Sequence, residues 1–210
     1  MLTIVIGNKN RSSWSMRPWL ALKKTGAAFD EAVIPLDEPT TKSRLARETP
    51  HGKVPVLRDG GVTVWESIAI CERLAERFPE ARLWPADPAL RARARSVAAE
   101  MHAGFAALRR EMPCNVTLRT TKAPSPEVLA DVARLSALFR GERALRAADG
   151  PYLHGSWSIA DAFFTPVATR FRSYGVALED PSARSYCEAL LADPAFLAWE
   201  AGAVAENDGA

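Results

Sequence analysis

Residues 49–67 constrain the fold of this chain more than any other stretch. They read Thr-Pro-His-Gly-Lys-Val-Pro-Val-Leu, then Arg-Asp-Gly-Gly, then Val-Thr-Val-Trp-Glu-Ser. The apolar spans 54–57 and 62–65 flank Asp59-Gly60-Gly61, the signature of a tight hairpin. Pro55 stands where the first of these strands begins. Proline has no N–H to give to a ladder, so that end of the strand lies at an edge or a terminus. Ser67 opens a helix that runs to Phe78 and is ended by Pro79.

The rest of the N-terminal third alternates strand and helix. Residues 2–6 form a short apolar run, read as the first strand. A helix over 12–24 follows, opened by Ser12 and Ser13, with Pro18 in its first turns and Gly26 just past its end. Residues 29–36 read as a strand that ends before Pro39. The order is β-α-β, then β-β-α. Residues 79–88 hold three prolines and little periodicity, the mark of a linker.

Beyond the linker helical periodicity takes over. Val97, Met101, Phe105, Leu108 and Met112 share one helical face and predict a single helix broken at Pro113. Ser125-Pro126-Glu127 starts the next, carried by Val128, Val132, Leu135 and Phe139. After Gly150-Pro151, Ser158 with Asp161 three residues on is capping-box-like and nucleates a helix over 159–174. Further helices are expected over 182–191 and 195–201, and 206–210 reads as a frayed tail. The expected fold class is an α/β first domain over 1–80 and an all-helical second domain over 88–210.

Composition narrows the partners. The 210 residues are 48% hydrophobic, enough for one or two ordinary cores, and the net charge is only +2. That balance gives no reason to expect nucleic acid or a membrane surface. No apolar run reaches the roughly 18 residues that span a bilayer. The N-terminal Met-Leu-Thr-Ile-Val-Ile lacks the basic flank of a secretory leader. Cys71, Cys114 and Cys187 are far apart, which fits free thiols in a reducing cytoplasm. His51, His102 and His154 show no metal-ligand spacing, so no metal is expected.

Several residues could carry chemistry, each beside a plainer reading. A cis Val54-Pro55 bond would turn the Val54 backbone outward to pair with a peptide-like ligand; cis is uncommon even before proline. Glu66-Ser67 lies at a strand-to-helix junction, where free N–H groups bind carboxylates. Ser67 could donate its hydroxyl there and Glu66 could take an ammonium, or Ser67 is an ordinary cap. Ser12 and Ser13 could donate to a thiolate at the mouth of the first helix, or cap it. Arg17 and Lys53 could pair with ligand carboxylates, or be solvated charges. Trp14, Met101, Phe105 and Met112 could line an apolar pocket, or be core. His51 falls in a loop beside these residues. A thiol oxidoreductase would have to use Cys71 or Cys114, and Cys71 sits inside an amphipathic helix.

Together these residues resemble the cytosolic glutathione transferase superfamily, most closely its serine-type, zeta-like members and bacterial relatives. The likeness is carried by Arg11-Ser12-Ser13-Trp14-Ser15-Met16-Arg17, by residues 52–57, by Glu66-Ser67 and by residues 158–161. It implies a thioredoxin-like domain followed by a helical bundle, with glutathione as co-substrate. It also implies a cis Val-Pro bond, the Val54 backbone paired with the glutathione cysteine, and Glu66 and Ser67 on the γ-glutamyl end. Lys53 would lie near the ligand. Ser12, with Ser13 its rival, would activate the thiol.

Trp14, His102, Phe105 and Arg109 would face a small electrophile. The resemblance further implies a cytoplasmic homodimer with contacts around 85–95 and the hairpin end, and a role in detoxification by conjugation or isomerisation. The alternative is a non-catalytic binding or stress protein on the same fold. Two departures stand out. Trp14 replaces the cysteine of the zeta motif, and Ser173 stands where that class has its substrate-binding arginine. No cysteine lies near the first helix start, which disfavours disulfide exchange.

Overall fold

A computed structural model describes residues 1–146 and 149–208. Four strands form one mixed sheet in the order β2-β1-β3-β4. They are β1 (Leu2–Gly7), β2 (Asp30–Ile34), β3 (Val56–Asp59) and β4 (Val62–Trp65). β1 runs parallel to β2 and antiparallel to β3, with Val5 opposite both Ala32 and Val56. β1 is central and has both faces covered, which explains its unbroken apolar run. Ile4 and Ile6 pack into the large core, while Val5 joins Ile34 and Val56 on the other face. Gly60 takes φ +61 in the two-residue turn between β3 and β4, as the hairpin signal requires.

The helices of this part are α1 (Ser13–Lys24), α2 (Thr41–Glu48) and α3 (Ser67–Arg77). The sequence reading missed α2, and the reason is physical. It buries no side chain, so it has no apolar stripe to read. The structure makes two further corrections here. The strand begins at Val56, one residue past Pro55. Pro18 lies inside α1, so the bond it cannot make leaves the Trp14 carbonyl without its helical donor. The expected linker holds a 3-10 turn at Pro79–Ala81.

From Pro88 onward the regular structure is helical: α4 (Pro88–Ala103), α5 (Ala106–Glu111), α6 (Pro126–Arg143), α7 (Ile159–Tyr174), α8 (Pro181–Ala192) and α9 (Pro194–Asp208). The expected single helix up to Pro113 is in fact two. Gly104 ends α4, and Phe105 turns left-handed at φ 60 before α5 begins. The apolar period survived because Phe105 and Leu108 are buried on both sides of the break.

α7 is the pillar of the molecule. Every residue of it except Arg172 is buried, the pattern of a helix enclosed on all sides. Asp161 fixes its start. It accepts from the Ser158 N–H at 2.7 Å, the Leu153 N–H at 3.0 Å and the Tyr186 hydroxyl at 2.8 Å.

The expected frayed tail is another correction as far as Asp208; residues 209 and 210 lie outside the described residues. Glu206 in α9 accepts from the Lys9 and Asn10 N–H groups, and the Trp199 indole donates to the Lys9 carbonyl. Asn10 also holds the segment after α5, where its carbonyl accepts from the Val116 N–H. The loop that delivers α1 is therefore pinned by the far end of the chain.

Candidate active site

Two helix N-termini meet at one end of the sheet. α1 is delivered by the pinned loop after β1. α3 is delivered by β4 through Glu66, which adopts φ 67. A non-glycine residue there costs on the order of 1–3 kcal/mol, and such strain gathers at ligand sites. Opposite them the Val54-Pro55 bond is cis. These pieces enclose a cleft of about 300 Å³ lined by Trp14, His51, Lys53, Val54, Pro55, Glu66 and Ser67.

Ser67 does not cap its helix. Glu66 occupies the cap position and makes no side-chain cap bond, while Ser67 is the first helical residue. Its hydroxyl is buried, only 1% of the residue is exposed, and the oxygen has no hydrogen-bond partner among the described residues. The first turn of α3 thus brings unused N–H groups and a spare hydroxyl to the cleft. Its positive end favours an anion. The Glu66 carboxylate is half exposed, with an oxygen 3.9 Å from His102 Nε2. Lys53 is exposed on the cleft wall and makes no ion pair among the described residues.

Ser12 and Ser13 are both buried behind this wall and are not among its lining residues. Ser12 is the N-cap of α1: its oxygen accepts from the Ser15 N–H at 3.3 Å and lies 2.7 Å from the Ser15 hydroxyl. Ser13 accepts from Arg170 Nη2 at 3.3 Å. The two neighbours therefore sit in different networks, one within α1 and one reaching to α7.

Trp14 joins the cleft to the helical part. His102 meets its ring edge-on at 5.1 Å between centroids. The guanidinium carbons of Arg17 and Arg109 lie 4.3 Å and 4.9 Å from its ring centre. Arg109 donates to the Gly104 and Met101 carbonyls. Burial, then the nearby Arg170, pull its pKa down to about 10. Burial and the Arg17 charge lower the His102 pKa, against a smaller upward pull from Glu66, so its ring is neutral at pH 7. Phe105 packs in the core at the break between α4 and α5, not on the cleft.

Arg17 is not the solvated charge that its sequence context also allowed. It is wholly buried. The sequence reading also missed Arg170, because a charged residue in an otherwise apolar helix gives no sign of the serine it reaches. His51, noted only as lying beside the site, lines the cleft itself. All three cysteines are buried, and burial pushes their thiols up. None is a ready thiolate. Larger cavities lie elsewhere; one of about 520 Å³ between α7 and α8 is lined mainly by apolar side chains. No group of metal-ligating side chains clusters among the described residues.

A mixed four-stranded sheet with a cis proline facing a helix N-terminus, joined to a helical bundle, defines a thioredoxin-like domain with an appended helical domain. The chain belongs to the glutathione S-transferase family. The family described as glutathione S-transferase, N-terminal domain, matches residues 11–77. A maleylacetoacetate isomerase of Pseudomonas aeruginosa is 30% identical over 203 residues, covering 90% of each chain. The maleylacetoacetate isomerase of Anaeromyxobacter dehalogenans, solved with dicarboxyethyl glutathione and citrate in its active site, is 29% identical. It covers 94% of this chain and 90% of its own, with a TM-score of 0.65. A bacterial zeta-class maleyl pyruvate isomerase is 25% identical, covers 96% and 97%, and has a TM-score of 0.71.

Proposed function

We propose that this chain binds glutathione in the cleft at the α1 and α3 N-termini and activates its thiol toward a small electrophile, by conjugation or glutathione-dependent isomerisation. The observation that carries this reading is the buried Ser67 hydroxyl, without a partner among the described residues, on the uncapped first turn of α3. A buried polar group without a partner is costly, so a ligand that supplies the partner is favoured. In this reading Glu66 and Ser67 hold the γ-glutamyl end, the Val54 backbone pairs with the cysteine, and Lys53 faces the glycine carboxylate. Ser12 or Ser13 donates to the thiolate. Residues 1–80 bind glutathione. Residues 88–210, through His102 and Arg109 beside Trp14, shape the electrophile site.

The names of the relatives support isomerisation as one of the reactions. The position that the zeta likeness gives to a substrate arginine is here Ser173, whose hydroxyl donates to the Asn115 carbonyl. Its neighbour Arg172 is engaged with Glu200. Conjugation needs neither residue, so it is the broader expectation.

The experiment is retention on immobilised glutathione, followed by turnover of a panel of electrophiles that includes maleyl-type cis-alkenes. Retention with turnover is expected. Retention without turnover would make the chain a binding protein on this fold. Neither retention nor turnover would overturn the proposal.

The reading extends to a cytoplasmic homodimer with a detoxifying role. Val62 and Trp65 on β4 are exposed apolar residues at the hairpin. No helix among the described residues is long and apolar enough to cross a membrane. Sedimentation at micromolar concentration should give twice the chain mass. A mass near 22.9 kDa would count against the dimer.

A further inference from the structure

We propose that the buried positive charge of Arg17, reinforced by Arg109 and Arg170, holds the thiol of bound glutathione as its thiolate, acting through the Trp14 wall of the cleft. The proposal rests on the glutathione-binding reading above and assigns a positioning residue to it.

Arg17 lies one turn into α1, four residues after Ser13. It has no exposed surface, and its Nε, Nη1 and Nη2 all lack hydrogen-bond partners among the described residues. Its guanidinium instead stacks between the rings of Trp14, at 4.3 Å, and Phe163, at 4.8 Å. The groups that face it are Arg109 from α5, Arg170 from α7, Cys71 from α3 and Cys114 from the segment after α5. The neutral ring of His102 on α4 also faces it, with Glu66 beyond. Burial holds both thiols protonated, and among the described residues no carboxylate bonds to any of the three guanidiniums. Arg170 donates to the Met112 and Pro166 carbonyls and to Ser13, and Arg109 only to carbonyls.

Arg17 and Arg170 are buried with no carboxylate bonded to either among the described residues, and half-buried Arg109 has only Asp131 nearby as a partial counter-charge, so the cluster favours the arrival of a further negative charge. Trp14, against which the Arg17 guanidinium lies, also lines the cleft in which glutathione is proposed to bind. Ser13, held by Arg170, stands at the mouth of α1, so the cluster reaches the helix N-terminus by two routes. A unit charge on the order of 8 Å away, at an effective dielectric near 20, shifts a pKa by about 1.5 units. That is the size of effect expected of Arg17 on a thiol across one indole ring.

Thiolate absorbance of bound glutathione is titrated against pH in the full-length wild type, Arg17→Lys and Arg17→Met. In the wild type the thiol should ionise at least one unit below free glutathione. In Arg17→Met the titration should move up by about one unit, and the acid limb of the kcat/KM profile should move with it. Affinity for S-methylglutathione, which has no thiol, should stay unchanged. Arg17→Lys keeps the charge and should restore most of the shift. A packing role would leave the titration unmoved. The Met variant should melt at or above the wild type, because an unpaired buried charge has been removed.

An unshifted titration in folded Arg17→Met, or an ordinary thiol in the glutathione-bound wild type, would overturn the proposal. If Arg17→Met does not fold, Arg109→Met is titrated, with a smaller upward shift expected and none overturning it. A wild type that binds no glutathione would remove the functional reading itself, a distinct outcome.

Discussion

Asp161→Asn is expected to destabilise the chain by about 3–5 kcal/mol, the usual result of breaking a buried charged network from one side. The carboxylate is fully buried and meets only donors. Oδ1 accepts from the Leu153 N–H and the Tyr186 hydroxyl; Oδ2 accepts from the Ser158 N–H and, at 3.1 Å, from its hydroxyl. An asparagine has one acceptor oxygen. Whichever way its amide turns, an NH2 group faces two donors, and at least one backbone N–H or the Tyr186 hydroxyl is left without a partner. The melting temperature should fall by roughly 10 °C or more for a chain of this size. Near-wild-type melting would mean that α7 is held by packing alone. The effect reaches the site, because α7 carries Phe163 and Arg170 to Arg17 and Ser13.

The sequence made α7 legible for the same reason that the substitution should matter. Ser158 and Asp161 state the start, Gly175 in the left-handed region states the end, and the observed helix fills the expected span 159–174. Ser125 with Pro126 was equally explicit, and its oxygen caps α6 through the Val128 N–H. Elements without such punctuation were misread. α2 touches the core too little to show a period. The break at Gly104-Phe105 hides inside an apolar stripe that continues across it. α9 outruns its expected span because Glu206 is fastened to the loop after β1, a contact nearly two hundred residues away that no local window contains.

The candidate site divides in the same way. Val54, Pro55, Glu66, Ser67, Lys53 and Trp14 could be picked out because turn chemistry and helix starts place them, and the structure brings all six to one cleft. What separates Ser12 from Ser13 was not readable. Adjacent hydroxyls look alike in sequence, and only packing shows that one faces Ser15 and the other Arg170. Arg17 was the deepest misjudgement open to a sequence reader. A guanidinium at a helical position is ordinarily solvated, and nothing local announces that α3, α5 and α7 all close over it.

Glu66→Ala should weaken glutathione by about 1.5–3 kcal/mol, the loss expected of a hydrogen bond to a charged group. Ser67→Ala should weaken it by a similar amount, about 1.5–3 kcal/mol, because its hydroxyl donates to the charged γ-glutamyl carboxylate. Stability tells these losses apart from damage to α3. A serine that capped the helix would cost about 1 kcal/mol of stability on conversion to alanine. The Ser67 oxygen has no partner to lose among the described residues, so Ser67→Ala should melt with the wild type while its affinity falls. Glu66 offers a second separation. Its φ of 67 suits glycine, so Glu66→Gly should melt above Glu66→Ala, whose residue keeps the strain. Both should lose the same glutathione affinity, because both lack the carboxylate. Calorimetry on the folded variants decides the matter: unchanged affinity in Glu66→Ala and Ser67→Ala would move the γ-glutamyl end away from the α3 N-terminus. Affinity that tracked melting temperature across the set would make both residues props of the helix instead of contacts to the ligand.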